Sequence, residues 1–152
     1  MPAPEAGSGG LPKVVLRSPD GAASAEVYQH GATLTSWAMG GRELLFLSPK
    51  AAFEAPKAIR GGVPVCFPQF AMLGPLASQH GFARNREWQV AELTDSSVTL
   101  VLNSSEDTLA LWPHPFQLEM TVSAGWRLGS SSGTSDSQLH MWAQLIEKPA
   151  SA

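Results

Sequence analysis

Apolar and polar residues alternate with a period of two in several stretches of the first 125 residues, and this pattern predicts strands. The clearest case is FQLEMTV (116–122), with Phe116, Leu118, Met120 and Val122 on one face and Gln117, Glu119 and Thr121 on the other. Such alternation belongs to an antiparallel sheet with one wetted face. KVVLR (13–17) and AEVYQ (25–29) predict two more strands, joined through the turn residues Ser18-Pro19-Asp20-Gly21. ATLTSWAM (32–39) follows His30-Gly31 and has no cleanly polar face, as expected of a strand partly covered on both sides. ELLFL (43–47) follows the Gly40-Gly41 turn, while WQVAEL (88–93) and SVTLVL (97–102) are separated by a Thr-Asp-Ser turn. No amphipathic helix is legible before residue 125, so the expected class is all-β.

Between 48 and 85 no period holds, and prolines at 49, 56, 64, 68 and 75 exclude a long helix through most of the stretch. Phe53, Ile59, Val63, Val65, Phe67, Phe70 and Phe82 argue against disorder there. A connection this long that is neither helical nor disordered is expected to be packed, shaped and functional. Residues 1–12 are expected to be a flexible lead-in to a domain spanning 13–125. From 126 to 152 the character changes to a divergent tail open to disorder. Residues 125–137 are crowded with serine and glycine, and QLHMWAQLIEK (138–148) predicts one short helix. On this reading the strand at 116–122 has no later partner, and the sandwich is incomplete on its C-terminal side.

Composition narrows the function. A chain of 152 residues, 43% hydrophobic and 15% charged, suits one domain with a real core. Thirteen acidic against ten basic residues, a formal charge of -3, argue against a general nucleic-acid binder. Cys66 is the sole cysteine, so no intrachain disulfide and no cysteine-rich zinc site can form. The four histidines lack compact metal-ligand spacing, and nothing calls for a metal, nucleotide or redox cofactor. MPAPEAGSGGLP lacks the apolar core of a signal peptide and no run of about 18 apolar residues exists, so a cytoplasmic location is expected.

The chemistry concentrates in the irregular region. Arg60 precedes Gly61-Gly62, where glycines permit tight geometry and close ligand approach. A guanidinium offers five donors in a planar fork that matches the oxygens of a phosphoryl group, although the same arginine would equally suit a surface acid. Arg84, in HGFAR, lies far enough along the chain that a folded loop is needed to bring it to the same anion. Arg86 shares its parity in an extended chain, but only one of the two need touch a ligand. Gln79 and His80 carry groups suited to sugar hydroxyls, with a hydrogen-bonded loop histidine as the alternative for His80. Cys66 reads as a small core residue, Glu54, Glu87 and Glu92 as solvated charges, and at least two of Trp37, Trp88 and Trp112 as core.

Taken together, RGGVPVCFPQF (60–70), QHGFARNREW (79–88) and LWPHPFQLEMTVSAG (111–125) resemble the glucose-6-phosphate 1-epimerases. These are hexose-6-phosphate mutarotases related to aldose 1-epimerase, and the resemblance covers roughly 13–125. It implies an antiparallel β-sandwich of galactose-mutarotase-like type and exchange between the α and β anomers of D-glucose 6-phosphate. It also implies that Arg60 and Arg84 bind substrate, chiefly the phosphate, and that Gln79 adds a hydrogen bond in the same pocket. The family's catalytic histidine and glutamate belong to later motifs, and the chain departs from the pattern near Trp126. Leu139-His140-Met141-Trp142 matches the histidine motif only superficially, since the upstream strand context is not legible. The expectation is a hexose 6-phosphate site in a shortened chain lacking the catalytic acid and base. The alternatives are a noncatalytic carbohydrate or phosphosugar-binding domain and an inactive splice-type fragment.

Overall fold

The computed structural model describes residues 1–126 and 137–146, with Trp126 and 137–146 as backbone only. Two antiparallel sheets face each other. In the first, strands run in the order β1 (Glu5–Ala6), β2 (Pro12–Arg17), β3 (Ala23–Tyr28), β4 (Thr33–Met39) and β5 (Arg42–Glu43). In the second the order is β6 (Gln89–Leu93), β7 (Ser97–Asn103), β8 (Gln117–Trp126) and β9 (Ser137–Ile146). The sheets stay separate rather than closing into a barrel, with β2 packed across on β7 and β8, and β3 on β8.

The alternation fixes which side chains meet between the sheets. Val14, Leu16, Ala25, Val27 and Leu34 point inward from the first sheet, and Val98, Leu100, Leu102, Leu118, Met120 and Val122 from the second. Trp88 and Phe116, each 1% exposed, close one end of this layer. Phe67 and Phe82, ring neighbours of Phe116, come from the irregular region and lie 5.0 and 5.7 Å from that ring. The long connection is therefore anchored in the core. Each large apolar side chain buried this way contributes about 1.5–3 kcal/mol relative to an exposed one.

Four local expectations change. Residues 1–12 fold back: Glu5 and Ala6 pair with Lys13 and Pro12, and the Ser8 N–H donates to the Tyr28 hydroxyl at 3.0 Å. A short helix, α1 (Glu106–Leu111), lies before β8. Ser105 and Thr108 form its capping box, and Glu106 and Asp107 sit in its first turn, where the helix dipole favours acids. The stretch 138–148 was expected to be helical, yet β9 pairs with β8 over ten residues from Gln117↔Ile146 to Trp126↔Ser137. Tertiary pairing thus overrides local helix preference there and supplies the partner that β8 had been expected to lack. Residues 127–136 and 147–152 of the expected divergent tail lie outside the described residues.

The fourth change concerns ELLFL, where only Glu43 belongs to a strand. Its carboxylate takes the N–H groups of Trp37 at 2.9 Å, Leu44 at 3.1 Å and Leu45 at 3.0 Å, and accepts the Ser36 hydroxyl as well. One anion thereby collects several donors at the point where the chain leaves the sheet, sharing the Leu44 N–H with the Trp37 carbonyl at 2.8 Å. Burial alone would raise the Glu43 pKa, but the bonds from Ser36, Leu45, Trp37 and Leu44 outweigh it and hold the carboxyl below its ordinary 4.5.

A folded value below the unfolded one contributes stability that is present above the unfolded pKa and is lost as pH falls through the folded pKa. Glu43→Gln is expected to lower the urea midpoint at neutral pH, with the difference from wild type shrinking below the ordinary carboxylate value of 4.5. A difference unchanged well below that pH would contradict the role assigned to the anion.

Candidate functional site

Two loops carry the candidate arginines, and glycines let both press against the sheet. Gly62, at φ +60°, donates its N–H to Phe46 O at 2.7 Å, and any Cβ there would collide with the Leu34 carbonyl. Gly61, at φ +115°, bridges to Leu47, where a Cβ would sit 2.7 Å from the Leu47 Cα. The close approach expected at this glycine pair is thus made to backbone, and it fixes the chain direction at Arg60. In the second loop Gly81 bridges to Phe67, and the N–H groups of Phe82 and Ala83 share the Phe67 carbonyl at 2.9 and 3.2 Å. A 3₁₀ turn over Ala83–Asn85 follows, held by the Trp88 indole N–H donating to Ala83 O at 3.0 Å.

His30-Gly31 connects the two. The buried His30 ring donates through Nε2 to the Lys57 carbonyl at 2.7 Å, three residues before Arg60. Gly31 donates to the Arg86 carbonyl at 2.7 Å and lies directly under Arg84, whose carbonyl a Cβ would approach to 2.5 Å. Asn85 adds a direct tie, Nδ2 to Pro56 O at 2.8 Å. One dipeptide just before β4 therefore holds both arginine-bearing loops.

These ties produce a cavity of about 260 Å³ lined by Lys50, Lys57, Arg60, Arg84 and Asn85, together with two alanines. Both candidate arginines line it, and no carboxylate does. Lys57 is neutralised locally by Glu54, at 2.9 Å. Arg84 is half-buried; one terminal nitrogen donates to the Gln79 carbonyl at 3.0 Å, while its Nε is buried without a partner. An unsatisfied donor on a charged group costs free energy. A larger groove, about 480 Å³, lies over the outward face of the first sheet. Its charged groups are already engaged, Lys13 with Glu26 at 2.9 Å and Glu43 with the β4–β5 corner, so it is not a comparable anion site.

The remaining candidates separate by their partners. Gln79 is exposed beside Arg84 but does not line the cavity; its contact there is through the backbone carbonyl. His80, at φ +64°, accepts the Ala71 N–H at Nδ1 over 2.8 Å and packs on Phe70. Arg86 turns to Asp107, 3.7 Å away. Cys66 is a free, half-buried thiol. Trp88 is core, Trp112 packs on Phe67 and Phe116, and Trp37 is half-buried with its indole N–H unpartnered. Among the described residues no cluster of histidine, cysteine or carboxylate groups could hold a metal. Lys50, Lys57, Asn85 and the His30-Gly31 clamp were not singled out from the sequence as parts of the site. A proline-led turn before Lys50 and the glycine after a buried histidine were the available signals.

The fold and cavity define an open, two-sheet antiparallel sandwich bearing a basic pocket on its longest connection. A family model described as Aldose 1-epimerase matches residues 12–125, and the chain belongs to that family. A Cenchrus ciliaris protein named "Putative glucose-6-phosphate 1-epimerase" is 46% identical over 126 residues, covering 76% of this chain and 38% of the relative. A protein of the same name from Escherichia coli (strain K12) is 42% identical over 110 residues, covering 66% of this chain and 35% of the relative. A crystal structure from Salmonella typhimurium described as "a putative mutarotase" superposes with a TM-score of 0.64 at 37% identity, covering 74% of this chain and 40% of that one. The chain thus matches well under half the length of these relatives.

Because His30 ties to one loop while Gly31 supports the other, His30→Ala is expected to loosen both. The loss should be roughly 1–3 kcal/mol, the scale of a broken buried hydrogen bond. Hydrogen exchange should accelerate in peptides covering 57–60 and 84–86 together. Acceleration confined to one of them would contradict the clamp.

Proposed function

We propose that this chain carries the phosphosugar-anchoring part of a glucose-6-phosphate 1-epimerase and binds a hexose 6-phosphate through Arg60 and Arg84. The observation that carries this reading is the acid-free cavity that both arginines line. The names of the aligned relatives support glucose 6-phosphate as the substrate. Arg60 and Arg84 would clamp the phosphoryl oxygens with charge-assisted hydrogen bonds. Gln79 steadies Arg84 through its carbonyl, and its exposed amide would offer a hydrogen bond to a sugar hydroxyl. Anchoring the phosphate orients the distant C1, since remote binding energy can be used to position a reacting carbon.

Anomer exchange needs more than an anchor. A base takes the proton of the C1 hydroxyl, the bond from C1 to the ring oxygen breaks, and an acid protonates that oxygen. The resulting aldehyde rotates about the bond from C1 to C2 and recloses on its other face. Arginine keeps its proton at neutral pH and cannot serve either step. His30 and His80 are engaged with backbone groups, and Glu54 with Lys57. His140, in the superficial match to the histidine motif, lies on β9 opposite Ser123, so a strand context does exist for it. Its side chain is outside the described structure. The commitments of His30, His80 and Glu54 favour binding without turnover for this chain. Each missing transfer group would withhold about 10²- to 10⁴-fold in rate.

Two measurements check the proposal. Glucose 6-phosphate is expected to bind saturably, with Arg60→Gln and Arg84→Gln each weakening it by at least about tenfold, the scale of one charged hydrogen bond. Undiminished binding in the double variant would overturn the phosphate pocket. Proton NMR of freshly dissolved α-glucose 6-phosphate should show anomerisation at the spontaneous rate, and acceleration by the purified chain would overturn the binding-only reading.

A further inference from the structure

Lys50 lines the same cavity as Arg60 and Arg84, and no carboxylate lies within ion-pair distance of it among the described residues. Its placement is built. Ser48-Pro49-Lys50-Ala51 is a turn closed by the Ala51 N–H on Ser48 O at 2.9 Å, with the Lys50 N–H donated to Ser48 Oγ at 3.2 Å. Proline presets the second position of such a turn. The Ser48 N–H then donates to the Arg60 carbonyl at 3.0 Å, so the lysine turn is fastened to the residue that carries one of the two guanidiniums.

We propose that Lys50 is a third cationic ligand of the anion held by Arg60 and Arg84, and that it selects a phosphoryl dianion over a monoanion. This inference rests on the phosphosugar reading of the site. Three positive side chains around one acid-free cavity repel one another. A monoanion offsets one of the three charges. A dianion offsets two and has more acceptor strength for the donors that surround it. Lys57, already paired with Glu54, contributes less to this balance. A phosphate monoester has its second pKa near 6, so it is mainly dianionic at neutral pH, whereas a sulfate ester stays monoanionic.

The test compares glucose 6-phosphate with glucose 6-sulfate by calorimetry on the whole chain, at low salt and about pH 7.5, above that second pKa. Wild type should prefer the phosphate by on the order of tenfold, the scale of one charged hydrogen bond. Lys50→Gln, an exposed substitution expected to melt with wild type, should lose most of that preference by weakening the phosphate and sparing the sulfate. Equal losses for both esters would overturn the charge selection. Unchanged phosphate affinity in Lys50→Gln, with Arg60→Gln still weakened, would overturn the role of Lys50 alone. Failure of wild type to bind either ester, or full binding by Arg60→Gln, would overturn the phosphosugar reading as well.

Discussion

Guanidinium groups from two distant segments can serve one anion only if something other than the anion holds the segments together against their own repulsion. In this protein that work falls to backbone packed on backbone. Gly62 lies against Leu34, Gly81 against Phe67 and Gly31 against Arg84, at separations that leave no room for a Cβ. All three have positive φ, so an L side chain would be strained there even with space. His30 then ties the Lys57 carbonyl to the start of β4. The charged cavity is a consequence of these contacts, and removing them would separate the arginines before any ligand arrived.

The core explains why such a long irregular connection can be rigid. Phe67 and Phe82 enter the aromatic cluster around Phe116, so the loop carries part of the hydrophobic layer. Gln69, buried within the same connection, spends its amide on the Ala71, Leu76 and Ser78 carbonyls and accepts the Leu76 N–H. Backbone groups that a sheet or helix would normally satisfy are met here by side chains. Apolar burial fixes the connection to the sandwich, and polar satisfaction fixes its internal shape. Charge is gathered at its surface, where water still screens it until a ligand binds.

Much of this was legible, for reasons that differ by element. β2, β3, β7 and β8 were readable because one face of each is buried and a period of two survives. β9 was not, because QLHMWAQLIEK reads locally as helix and its pairing with β8 is a long-range fact. α1 spans only six residues, too few for a helical period. At the site, Arg60 and Arg84 stood out through their glycine neighbours and the family resemblance. Lys50 and Asn85 did not, since nothing local shows that the turn at Ser48 meets Arg60 or that Asn85 reaches Pro56. The paired glycines were read as permitting tight backbone geometry and close ligand approach, and the tight geometry is made against the Leu34 and Leu47 backbone.

Placing two guanidiniums on one phosphoryl group is the claim on which the functional account stands, and side-chain NMR of the arginine Nε–Hε groups addresses it directly. With Arg60 and Arg84 assigned, titration with glucose 6-phosphate should shift both resonances along a single saturation curve. Resonances that saturate at different ligand concentrations, or an Arg60 signal that stays still while Arg84 moves, would contradict the account.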